Sequence, residues 1–158
     1  MTTTITVDAT SLDTLNLAAI EPLLQTWQSE GSIATHDQEI KFDIDFPRDS
    51  LDPRELSEIP EVRLWFVRLD ARYPWMPWVL DWESGELARY TAMLVPHQFS
   101  AEGVQFNPEA LEIFVMKKVF VLVDWMKQQG VNSRNKLKLM LKTLGYDLED
   151  EFFELVGF

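Results

Sequence analysis

The sequence predicts an α+β fold: a predominantly helical single domain over residues 1–158, with a small sheet of two or three short strands and a central buried helix near 108–129. Three observations carry this. In 158 residues, 46% are apolar and 12% aromatic, enough side chain to close one core and too much for disorder. Ile40, Phe42, Ile44 and Phe46 alternate strictly with Lys41, Asp43 and Asp45, which is strand periodicity with a charged outer face. Asn107-Pro108-Glu109 then opens the longest apolar run with a cap acceptor, a proline at the first helical position and an acid in the first turn.

Taken in order, Thr3 to Val7 is β-branched and alternating, a short strand. Ser11 or Asp13 can cap a helix on Leu15, Ala18, Ala19, Leu23, Leu24 and Trp27, ended by Gly31, with Pro22 kinking or restarting it. After the strand at 40–46, Pro47 to Pro60 reads as a charged, proline-rich loop. A helix runs from about Glu61 to Tyr73, stopped by Pro74, and Val79 to Trp82 is a candidate third strand. Glu86 to Leu94 forms a short helix between the Ser84-Gly85 turn and Pro96. The helix from Pro108 ends at Gly130. Leu137, Met140, Leu141 and Leu144 then define another with Gly145 beyond its C-terminus, and 148–156 can add a last one.

The composition excludes several function classes. Without cysteine there is no disulfide framework, thiolate metal site or cysteine nucleophile, and a reducing compartment suits the chain. A net charge of −12 opposes phosphate backbones, so no nucleic-acid partner is expected. Ala110 to Met126 is interrupted by Glu112, Lys117, Lys118 and Asp124, so no transmembrane segment is expected either. The N-terminal segment carries neither a basic, apolar leader nor the Arg and Ser richness of a transit peptide, which points to cytoplasmic residence. The charge is uneven. Residues 1–61 hold 13 acids and 3 bases, whereas Lys127, Arg134, Lys136, Lys138 and Lys142 precede an acidic tail and read as the solvated side of an amphipathic helix, neutralised by that tail.

No catalytic or metal-binding pattern emerges. Asp43 and Asp45 share the outer, solvent-facing side of a strand, with little of the burial or close like charge that general acid–base work requires. His36 and His97 have no metal-ligand spacing, and His97, after Pro96, reads as a structural histidine bonded to backbone. No glycine pattern cradles a phosphate. The stretch from Arg54 to Trp82 is richer. It gathers Trp65, Trp75, Trp78 and Trp82 with Arg54, Arg63, Arg68 and Arg72, the residue types that dominate protein interfaces. Trp65 belongs inside. The proline-fixed loop 74–77 can present Trp75 and Trp78 as anchors or pack them into the core, and the candidate partner-binding set is Arg54, Arg63, Arg68, Trp75, Trp78, Trp82 and His97.

Specific runs add a family. Asp52-Pro53-Arg54-Glu55-Leu56-Ser57-Glu58-Ile59-Pro60-Glu61-Val62-Arg63-Leu64-Trp65-Phe66, Tyr73-Pro74-Trp75-Met76-Pro77-Trp78, Gly85 to Tyr90, Met93 to Phe99 and Gln105 to Glu112 resemble the small chlororespiratory-reduction family of NdhI maturation factors. The resemblance is close over about 42–125 and looser outside. It implies a non-enzymatic assembly role. The client is NdhI, the iron–sulfur subunit of the photosynthetic NADH-dehydrogenase-like complex, bound before it joins the complex and released from the finished one. No cofactor is implied, and a chain without a transit peptide matches the cyanobacterial branch. Two other readings stay open on the residues: a small cytoplasmic enzyme using Asp81, Glu83, Glu86 or His97 in a cleft, or a dimeric structural protein with a self-complementary patch.

Overall fold

Residues 1–158 are all described by a computed structural model. Strand β1 (Thr3–Asp8) lies parallel to β2 (Ile40–Asp45), in register from Thr3 opposite Ile40 to Asp8 opposite Asp45. Alternation explains the pairing, because Ile5, Val7, Ile40 and Phe42 point into the core and the intervening residues point out. A parallel pair needs a long crossover. Here it consists of α1 (Ala9–Asp13), α2 (Glu21–Ser29) and a 3-10 turn at Ile33–Thr35. The expected single helix is therefore two. Asp8, not Ser11 or Asp13, caps α1 by accepting the Ser11 amide at 2.7 Å, and Leu15 turns left-handed (φ 53°) before Glu21-Pro22 restarts the helix.

The third strand is not formed. Leu80 makes one bridge to Ile40, and the backbone bonds Ile40 N to Val79 O and Asp81 N to Ile40 O, each 2.7 Å, are all that joins it to β2. The 3-10 turn Met76–Trp78 feeds into this segment, and the Asp81–Ser84 turn leaves it, so no second residue reaches register.

Helix α3 (Pro60–Arg72) starts at its proline and buries Val62, Trp65, Phe66 and Leu69. Phe42 meets Phe66 edge-on at 5.2 Å and Trp65 at 5.8 Å, which places the β1/β2 layer against α3. Helix α4 (Glu86–Leu94) follows Gly85, whose φ of +84° suits glycine. An unanticipated antiparallel hairpin comes next, β3 (His97–Ser100) and β4 (Gly103–Phe106). The second sheet thus arises where a loop was expected.

Asn107 caps α5 (Pro108–Gln129) through the Ala110 amide at 3.0 Å, and Gly130 ends it at φ +68°. This helix buries Val115, Val119, Leu122, Val123 and Met126, while Ile113, Met116 and Phe120 remain exposed along its outer side. Helices α6 (Arg134–Thr143) and α7 (Asp150–Leu155) close the chain. Thirty-four buried apolar residues, from Ile5 to Phe153, form one continuous core.

Two lysines belong to that interior. Lys118, 1% exposed, pairs with Asp70, which also accepts from the Tyr90 hydroxyl, and donates to Pro74 O at 3.1 Å. Lys136 departs from the solvated set predicted for α6. It is buried, donates to Trp78 O at 2.9 Å, pairs with Asp37 and lies 3.7 Å from the Trp78 ring centroid. Burial pushes its ammonium down to about 7. Lys138 follows the expected pattern and bonds Asp150 of the acidic tail at 2.6 Å.

Candidate partner-binding face

The turn before α3 supplies one wall of the site. Glu55 and Glu58 form a capping box in which the Glu58 carboxylate accepts the Glu55 amide at 2.7 Å, fixing a 3-10 turn at Leu56–Glu58. Ser57, buried within that turn, meets His97 Nε2 at 3.0 Å, and His97 Nδ1 lies 2.9 Å from Val95 O. A carbonyl only accepts, so Nδ1 carries the proton and Nε2 accepts from the Ser57 hydroxyl. Both ring nitrogens are thereby engaged, and His97 fastens the start of β3 to the turn.

The opposite wall is α4. Arg63 Nε donates to Met93 O at 3.2 Å, satisfying a carbonyl of the last helical turn from α3. Arg89 donates to Phe42 O at 3.0 Å and approaches the buried Glu86 carboxylate at 3.1 Å. Desolvation raises the Glu86 carboxyl, with Arg89 opposing. These ties hold α4 to β2 and α3, so its outer residues form a fixed floor.

The hairpin stands over that floor. Cross-strand register puts His97 beside Phe106 and Phe99 beside Val104 on one face of the ribbon. Between this face, the turn and α4 lies a groove of about 260 Å³, floored by Leu56, Ala92 and Met93 and roofed by Phe99, Val104 and Phe106. Phe99 and Val104 are 42% and 41% exposed, an apolar ribbon only half covered by its own chain. Arg54 stands at the rim, bidentate to Asp52 through Nε (3.0 Å) and Nη2 (2.7 Å), and holds that carboxyl down at about 2. Beyond the Arg54–Asp52 pair, exposed Glu55 lines the groove and exposed Glu58 and Glu61 lie close enough to act on Arg54, against one further base, Arg48, which donates to Arg54 O, so the rim is net acidic.

The predicted partner-binding set divides among three places. Arg54 and His97 border one cleft with Phe99, and Arg63 supports α4 beneath it. Arg68 lies elsewhere, on the outer side of α3 next to Leu17 and Arg72. The tryptophans form a third group. Trp75 and Trp78, 8% and 4% exposed, pack on Trp125 at 5.3 and 5.4 Å, so they are core and not anchors. Trp78 Nε1 donates to Ala34 O at 3.1 Å, and the half-buried Trp82 donates to Pro77 O at 2.8 Å. The 74–77 loop turns inward because Lys136 and Trp125 give those indoles a wall to pack on. Sequence reasoning missed Phe99 and Val104; their alternation with Gln98 and Gln105 was the available signal.

The residues of the enzymatic reading do not converge. Asp81 takes part in the Ser84 turn, Glu83 is exposed, Glu86 is buried at the start of α4 beside Arg89, and His97 has both nitrogens occupied. No three His, Asp or Glu side chains come together in a metal-binding arrangement. No helix is long and apolar enough to cross a membrane.

No solved structure matches the chain. The family model for chlororespiratory reduction 6 matches residues 7–155, spanning every element from the end of β1 to α7. With that match over nearly its whole length, the chain belongs to the chlororespiratory reduction 6 family, non-catalytic factors that bind NdhI and serve its maturation and assembly into the NDH complex.

Proposed function

We propose that this chain holds NdhI through the hairpin face, with Phe99 and Val104 as the contact residues and Arg54 and His97 as rim and hinge-pin. An unassembled subunit exposes the apolar surface that its neighbours later cover, and such surface aggregates when left bare. A half-covered apolar groove is the matching cover. The observation that carries the reading is this groove, apolar within and net acidic at its rim, which shares Phe99 with the cleft lined by Arg54 and His97.

The negative charge serves two ends. It keeps the pair dispersed, and it draws in a client whose contact segment carries basic residues. Release follows when the next subunit of the complex competes for the same apolar surface of NdhI. The work is placed in the cytoplasm, and the free chain is proposed to act as a monomeric single domain, so that the face is open. Arg68, Trp75, Trp78 and Trp82 support the scaffold in this proposal and make no client contact.

The test is co-purification of NdhI with tagged chain. Phe99→Ser with Val104→Ser should lose NdhI while circular dichroism stays that of the parent, and Ile113→Ser on the outer side of α5 should retain it. Equal capture by the hairpin double variant removes the hairpin face from the proposal.

A further inference from the structure

We infer that the client is taken as an extended strand added to the free edge of β3, with one apolar side chain dropped into the groove. This rests on the hairpin face being the client-binding face. Backbone phase is the first ground. Asn107 N–H bonds Pro96 C=O at 2.8 Å, and the register continues through His97 opposite Phe106, Gln98 opposite Gln105 and Phe99 opposite Val104. Hydrogen-bonded and non-hydrogen-bonded pairs alternate in an antiparallel ladder. Gln98 therefore spends its amide and carbonyl on Gln105, and His97 and Phe99 turn theirs away from β4.

That outward edge has no strand beside it, since this sheet contains β3 and β4 alone. It borders a cleft of about 480 Å³ lined by His97, Gln98 and Phe99 on one side and Pro53, Arg54 and Glu58 on the other. Consecutive strand residues point to opposite faces, so a depression touched by all three runs along the edge and not over a face. Phe99 belongs to both places: it lines the cleft and the groove alike, and the ladder phase turns its backbone away from β4. A strand laid in the cleft would hydrogen-bond to Phe99 and His97 and turn alternate side chains toward Leu56, Ala92 and Met93.

Charge selects the segment. Glu55, Glu58 and Glu61 are exposed around the cleft and Glu102 at the hairpin tip, while Arg54 is neutralised by Asp52 and Arg48 is the one further base at the cleft wall, leaving acids in excess. The occupant is therefore an extended segment of the client with an apolar residue flanked by lysine or arginine.

Residue-resolved amide hydrogen exchange on the full chain, free and bound to purified NdhI, tests this. In the free chain the Phe99 amide should exchange as an open edge; NdhI should slow it at least about tenfold, leaving the outward Val104 amide of β4 unchanged. Slowing at Val104 instead, or no slowing at Phe99 while NdhI is bound, overturns strand addition at β3. The wider reading fails separately, if the Phe99→Ser/Val104→Ser chain still captures NdhI. Sedimentation of the free chain tests the rival occupant: a dimer with Phe99 already protected would assign the edge to a second copy and overturn the proposal.

Discussion

Asp70→Asn strikes the most exacting polar site in the core. Asp70 accepts from both the Lys118 ammonium and the Tyr90 hydroxyl, and Lys118 is 1% exposed, with Pro74 O as its other acceptor. Removing the carboxylate leaves a buried ammonium without a counter-charge. Breaking such a pair from one side costs about 3–5 kcal/mol. Amide and hydroxyl can still bond each other, so Tyr90 adds little. With a urea dependence of about 1–3 kcal/mol per M, the midpoint should fall by roughly 2 M.

The loss should also depend on pH. Burial already lowers the Lys118 pKa and Asp70 raises it, so deleting Asp70 lowers it further. The folded variant then sheds a proton before the unfolded chain does, and its stability climbs as pH rises toward the ordinary lysine value of 10.5. Adding Lys118→Met to Asp70→Asn removes the orphaned charge and should restore most of the loss, because well-packed apolar replacements of buried pairs are often neutral. Equilibrium urea unfolding of the two single variants and the double variant closes the cycle. Additive losses, or a loss under about 1 kcal/mol for Asp70→Asn, would refute the buried-triad reasoning.

Two further outcomes follow from the same structure. Trp75→Ala and Trp78→Ala should each destabilise by about 3–5 kcal/mol in urea melts, as buried aromatics do, and any loss of NdhI should track the unfolded fraction. For Lys136, folded near 7 against an ordinary 10.5, the unfolded chain binds the extra proton between those values. Stability should therefore rise with pH across that window, and Lys136→Met should flatten the rise.

Local signals made most of the fold legible. The β2 alternation, the Asn107-Pro108-Glu109 start, Pro60, Gly85 and Gly130 each act within a few residues, and the elements they mark are present. What escaped depends on distant partners. Lys136 looks like solvated charge on α6 until Asp37 and Trp78 are placed beside it. Trp75 and Trp78 have the composition of anchors, and only Trp125, contributed by α5, makes them core. The hairpin was hidden because each strand is four residues long and Ala101-Glu102 is not a recognisable turn pair. In the candidate site, Arg54 and His97 were legible as residue types; the groove next to their cleft was not, because α4, the 56–58 turn and the hairpin build it jointly.

The central claim is that the hairpin face is where NdhI is held, and the affinity of purified NdhI for the Phe99→Ser/Val104→Ser chain tests it most directly. Each residue is a little over two-fifths exposed, and closing the rest on binding is worth about 0.6–1.2 kcal/mol apiece. The account predicts a rise in Kd of about tenfold or more, with the urea midpoint near the parent's and Ile113→Ser unchanged. A Kd within about threefold of the parent for the hairpin variant would contradict it.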